Sequence, residues 1–144
     1  MTQIELDSRH NSKRRLRVAI VLAAIGLLLA GTAWSADPAS WVKKSFSVSG
    51  TWQIVEENGA QYFVLSDDFK TKSAPDLKIF LSKTSVKDAS GKNATKESLL
   101  VGELPRVKGA VRLKIPAGTD LSEYQTVLLH CEKYSKLWAA AALR

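Results

Sequence analysis

Cysteine is almost missing from this chain of 144 residues; Cys131 is the only one. One cysteine excludes an intramolecular disulfide, a CxxC redox pair and a zinc site built on paired thiolates. Histidine is nearly as scarce, with His10 and His130 alone. The serine-rich stretches hold no nucleophile elbow, and beyond residue 35 there is no second histidine, so no hydrolase signature is present. The C-x-x-C-H run of covalent haem attachment is also missing. After residue 40 no long stretch repeats its apolar residues at the helical period, which argues against packed helices. No internal repeat is visible.

What is present is the composition of an ordinary globular protein, 45% hydrophobic and 24% charged. The formal charge is +7, and beyond residue 35 it is +4, from sixteen basic and twelve acidic residues. The lysines there are scattered through strands and loops. That is the pattern of a solvated surface, not of a nucleic-acid patch.

Residues 1–11 are polar and without periodicity. Lys13-Arg14-Arg15-Leu16-Arg17 is a basic cluster, and residues 18–31 follow it without a charge. Mostly small residues, Thr32-Ala33-Trp34-Ser35-Ala36, end the segment. This order predicts a secretory signal peptide over residues 1–35, cut after Ser35. Left uncut, residues 18–36 would be an N-terminal membrane anchor near the lower limit of length for a span. Either way the basic cluster stays in the cytoplasm and the remainder is extracytoplasmic: periplasmic, on the cell surface or secreted. A linker at 36–43 and one domain at 44–144 complete the expected organisation.

Alternation of apolar and polar residues sets in after the linker. Phe46 and Val48 alternate with serines, and Trp52 and Ile54 with Gln53 and Glu56. Asn58-Gly59 marks a hairpin turn, with Tyr62 to Leu65 as the returning strand. Residues 70–75 read as a loop. Leu77, Ile79 and Leu81 form the next run. Residues 84–96 are polar and read as a surface loop. Residues 99–104 and the alternation of Val111, Leu113 and Ile115 give two more strands. Residues 119–124 are expected to make one helical turn. Residues 125–131 and 137–143 are the last strands, joined by a polar turn at 132–136. The prediction is an all-β fold: an antiparallel sandwich or barrel of about eight short strands. The hydrophobic signal or anchor helix would precede it.

In a strand, successive side chains face opposite ways. Val127, Leu129 and Cys131 then share one face; Leu128, His130 and Glu132 share the other. Two aliphatics precede Cys131 on its own face, which predicts an apolar setting. Three uses of the thiol stay open: a small buried hydrophobe, a redox-active thiol, or a ligand to a metal or haem. Lys133 and Lys136 would lower its pKa if the turn folds back. His130 is turned away from Cys131, which argues against a Cys–His pair, and is expected on a half-exposed face rather than on a metal. Trp52, Tyr62, Phe63, Phe80, Tyr134 and Trp138 are candidate walls of a haem pocket, or plain core. Asp67-Asp68 lacks EF-hand spacing and reads as a turn.

Across the last strands these features meet a known pattern. Phe46-Ser47-Val48-Ser49-Gly50 leads to Trp52-Gln53-Ile54. Leu65-Ser66-Asp67-Asp68-Phe69 follows, then Pro75-Asp76-Leu77 and Leu81-Ser82. Val101-Gly102-Glu103-Leu104, Gly109, Pro116, Tyr124, Val127, Cys131, Trp138, Ala141 and Leu143 continue the order. From about Lys44 to Leu143 the chain resembles the DM13 domain, a small extracellular module proposed for electron transfer. His130 and Leu113 depart from it, since aromatics are common at both places. The resemblance implies an exported redox module of the cell envelope, with Cys131 as free thiol or as axial ligand to haem, the one cofactor suggested. Its partner would be an unidentified redox or envelope protein, and membrane contact would run only through an uncleaved N-terminal segment. The competing reading is a non-catalytic β-sandwich that binds a protein or glycan, with Cys131 structural.

Overall fold

The computed structural model describes residues 38–144. The expected signal peptide or anchor, residues 1–35, lies outside them. Ten short strands run through the described residues: β1 Val42–Lys43, β2 Val48–Ser49, β3 Trp52–Glu57, β4 Ala60–Leu65, β5 Lys70–Thr71, β6 Leu77–Ser82, β7 Ser98–Glu103, β8 Val111–Lys114, β9 Thr126–Cys131 and β10 Lys136–Ala142. Every pairing among them is antiparallel. The all-β, antiparallel expectation therefore holds. A 3-10 turn, Leu121–Glu123, falls where one helical turn was expected, and the Asp120 carboxylate caps it by accepting the Ser122 amide at 2.8 Å. Among the described residues no helix is long and apolar enough to cross a membrane.

The strands form three sheets. Their orders are β1-β10-β9-β6-β7, β3-β4-β8 and the small pair β2-β5. Asn58-Gly59 closes the β3–β4 hairpin with both residues left-handed, at φ 53° and 73°. That hand matches the twist of the flanking strands, which is why Asn-Gly signals the turn. The alanine run in β10 is extended despite its helix propensity. Pairing with β9 on one side and β1 on the other supplies ladder bonds that outweigh the local preference.

One apolar core draws on both larger sheets. Trp52, Ile54, Phe63 and Leu65 come from the three-stranded sheet, and Ile79, Leu81, Val127 and Leu129 from the five-stranded one. Trp52 and Phe63 stack at 5.5 Å between ring centroids. Ile79 is fully buried here. Ile79→Val removes one methylene from a filled site and is expected to cost about 1 kcal/mol. A urea titration should show a lower midpoint at unchanged slope.

The five-stranded sheet also buries its second face. Phe80, Leu128, Leu137 and Ala140 are covered there by Val86, Ala89 and Ala94. Residues 84–96 are thus a cover, not the plain surface loop the composition suggests. Turns closed from the Ala89 amide to the Ser85 carbonyl and from the Ala94 amide to the Ser90 carbonyl, both at 2.9 Å, point the two alanines inward. Two other segments differ from the sequence reading. Val42–Lys43 lies in the expected linker and pairs with β10, and Lys70–Thr71 lies in an expected loop and pairs with β2. Two-residue pairings are too short to leave a period in the sequence.

Candidate functional site around Cys131 and His130

Cys131 is the last residue of β9, and its neighbours are set by register. Leu77 of β6 lies across from it on one side and Lys136 of β10 on the other. In an antiparallel pair, residues directly opposite share a face, so Lys136 lies on the Cys131 side of the sheet. The thiol is free and fully buried, in the core cluster that holds Leu77, Leu129 and Trp138. The apolar setting expected for it is what the fold provides. Cys131 is not in the lining of the surface grooves around Tyr124, Pro116 and Lys92.

A cation–aromatic cluster stands on the β10 side of this region. Phe46 packs on Trp138 with centroids 4.2 Å apart. The Lys72 and Lys136 ammoniums lie 4.9 Å and 5.8 Å from the Phe46 centroid. The Trp138 indole N–H donates to the Lys72 carbonyl at 3.3 Å. Nothing in the spacing of Phe46, Lys72 and Trp138 announced this; only the β1–β10 and β2–β5 pairings bring them together.

Of the six proposed walls of a haem pocket, Trp52, Phe63 and Trp138 share the core cluster of Cys131, and Tyr62, Phe80 and Tyr134 lie elsewhere. Trp52 and Phe63 stack inside the core. Phe80 lies on the opposite face of the sheet. Tyr62 is under the Arg112 guanidinium at 3.9 Å, and Tyr134 is 61% exposed in the turn. A haem needs an axial ligand that opens onto a wide cavity. A thiol sealed in a core that its neighbouring aromatics fill does not fit that group. Among the described residues no three of His, Cys, Asp or Glu gather as a metal site. Asp68 accepts the Ser66 hydroxyl at 2.5 Å, and the Ser66 oxygen accepts the Thr51 amide at 2.8 Å, so the Asp67-Asp68 pair belongs to a turn.

His130 does face away from Cys131, but it is not half-exposed. Only 1% of it is accessible, because the cover over residues 84–96 closes that face. Phe80 meets it edge-on at 6.1 Å. Its Nε2 lies 3.3 Å from the Gly91 carbonyl. A carbonyl only accepts, so Nε2 carries the proton and Nδ1 is bare. Nδ1 is buried with no partner among the described residues. Burial pushes the His130 pKa below its ordinary value; the Gly91 carbonyl and the more distant Glu132 and Asp76 carboxylates pull the other way. Across the strand from His130, Lys78 turns its ammonium to Glu132 and to Asp76, the latter at 3.1 Å. Those two hydrogen bonds raise the Lys78 pKa and keep both acids occupied.

His130 gives the fold an acid-sensitive leg. A neutral group with a depressed native pKa binds its proton more readily in the unfolded chain. Stability is fully present above the ordinary value of 6.5 and is lost as pH falls from there toward the depressed native value. Urea midpoints are expected to drop through this window for the native chain, while His130→Leu shows no matching drop. Parallel curves for the two proteins would remove His130 from the account.

With fold and site in place, comparison with known proteins is decisive on one point. The family model described as electron transfer DM13 matches residues 41–143. The chain belongs to the DM13 family. The match spans β1 to the end of β10, so Cys131, His130 and the cover all lie inside the DM13 domain. Neither a curated protein nor a solved structure matches the chain.

Proposed function

We propose that this protein is an exported DM13 electron-transfer module whose redox group is the Cys131 thiol. Membership in a family described by electron transfer supports the class of activity. The basic cluster and charge-free stretch at residues 13–36 support export, with that segment cleaved or kept as an anchor. The inward faces of the two larger sheets share one core, which favours the sandwich over the barrel.

The observation that carries the thiol reading is position. Cys131 ends β9, and the next four residues, 132–135, form an exposed turn. Fraying of the β9–β10 hairpin at that turn uncovers the sulfur without breaking the sheet, because ends of hairpins open at less cost than cores. The reading therefore confines redox chemistry to the opened hairpin. The complete burial of the thiol in the closed state favours a second reading, a binding module with a structural cysteine. Thiol labelling as a function of urea separates them. Labelling through a local opening supports the redox module, and labelling that follows only global unfolding supports the structural cysteine.

A further inference from the structure

A groove of about 430 Å³ lies on the outside of the β9–β10 hairpin, where the cover meets the strand turn. Three lysines from three separate segments line it: Lys44 after β1, Lys92 in the cover and Lys136 at the start of β10. Ser45, Ser90 and Ser135 stand between them. No Asp or Glu lines the groove. The nearest acids along the chain are held elsewhere. Asp88 accepts the Ser85 hydroxyl at 2.7 Å, and Glu132 is paired with Lys78. Lys44 and Lys92 meet no acidic side chain in the groove, and Lys136 lines it with its ammonium 5.8 Å from the Phe46 centroid. Lys44 gives one long bond, 3.5 Å, to the Lys87 carbonyl and keeps its other protons. The Ser90 hydroxyl is committed to Asn93.

The floor is built rather than incidental. Gly91 passes so close to the turn that a Cβ on it would fall 2.0 Å from the Ser135 carbonyl oxygen. From beneath, His130 holds the Gly91 carbonyl. Ser135 sits in the left-handed region at φ 48°, where glycine is cheaper, yet the chain carries a hydroxyl there. Leu137 and Ala89 give the groove an apolar base.

We infer that this groove binds a phosphate ester. The Lys44 and Lys92 ammoniums with the Ser45 and Ser135 hydroxyls offer more donors than a two-oxygen carboxylate accepts, whereas a phosphate monoester has three acceptor oxygens and up to two charges. The apolar base and the volume leave room for a small organic group beside the phosphate. The inference does not depend on the role of Cys131.

Glycerol 3-phosphate, titrated into the full chain and followed by calorimetry, tests it, with sodium chloride at the same ionic strength as the blank. Saturable binding is expected, and Lys44→Gln and Lys92→Gln are each expected to weaken it about fivefold. Neither lysine is buried, so the variants keep the fold, and Lys70→Gln on β5 is the charge-matched control that changes nothing. Flotation with phosphatidic acid vesicles in excess of phosphatidylcholine vesicles, lost in the same two variants, would assign the phosphate to a lipid headgroup. Binding of glycerol 3-phosphate without that excess assigns a soluble ester. No saturation with either probe, or an equal loss in Lys70→Gln, overturns the proposal.

Discussion

Cys131 is expected to react with a thiol reagent at least about a hundredfold more slowly in the native protein than in the urea-unfolded chain, yet faster than global unfolding permits. The lower bound follows from complete burial: no reagent reaches the sulfur without an opening. The upper bound follows from position. Waiting for global unfolding at about 5 kcal/mol or more would slow labelling by several thousandfold or beyond. Opening of the hairpin end breaks the pairing of Cys131 with Lys136 and leaves the ladder from Ala139 to Ala142 against Leu129 to Thr126 in place. Such an opening exposes little surface, so the labelling rate should depend weakly on urea, whereas global unfolding carries the full slope. Cys131→Ser abolishes the signal. It should also cost about 1–3 kcal/mol, because a hydroxyl in this apolar cluster finds no acceptor. A rate that tracks urea with the full global slope would sink the redox reading and leave a structural cysteine.

The face of each residue in β9 was legible before the structure. Period two placed Val127, Leu129 and Cys131 together, and the core cluster holds all three. The hairpin at Asn58-Gly59 and the helical turn near Leu121 were legible for the same kind of reason: the chemistry is local. What period two cannot express is whether a face is covered, which depends on chain far away in sequence. Residues 84–96 look like a solvated loop because their outer surface is one. The residues they bury are two alanines and part of a valine, too small to register as an apolar stripe. That single omission misplaced His130, whose alternation was read correctly and whose burial was not. The aromatics fared likewise. Counting them left pocket walls and plain core both open, and only sheet order reveals that Phe80, Tyr62 and Phe63 face three different surroundings.

Gly91→Ala is expected to lift the cover from the sheet and to cost about 3 kcal/mol. The added methyl would meet the Ser135 carbonyl oxygen at 2.0 Å and its carbon at 3.0 Å. Both are backbone atoms, so no rotamer change relieves the clash. The turn itself cannot yield, since the Ser135 amide is tied to the Glu132 carbonyl at 3.0 Å. The cover must therefore move, carrying Ala89 and Ala94 away from Phe80, Leu128 and Leu137. Three readouts should change together. A hydrophobic dye binds the uncovered face, the His130 pKa climbs back toward 6.5 as its burial is relieved, and the acid-sensitive leg of the stability curve flattens. Gly59→Ala separates this from glycine replacement in general. Its φ of 73° makes alanine unfavourable by about 1–2 kcal/mol, but the new methyl meets nothing within 4 Å. That variant should lose stability with no dye binding and an unchanged His130 titration. Should Gly91→Ala behave the same way, the contact between cover and turn is not what keeps His130 buried, and the floor assigned to the lysine groove would have to be drawn elsewhere.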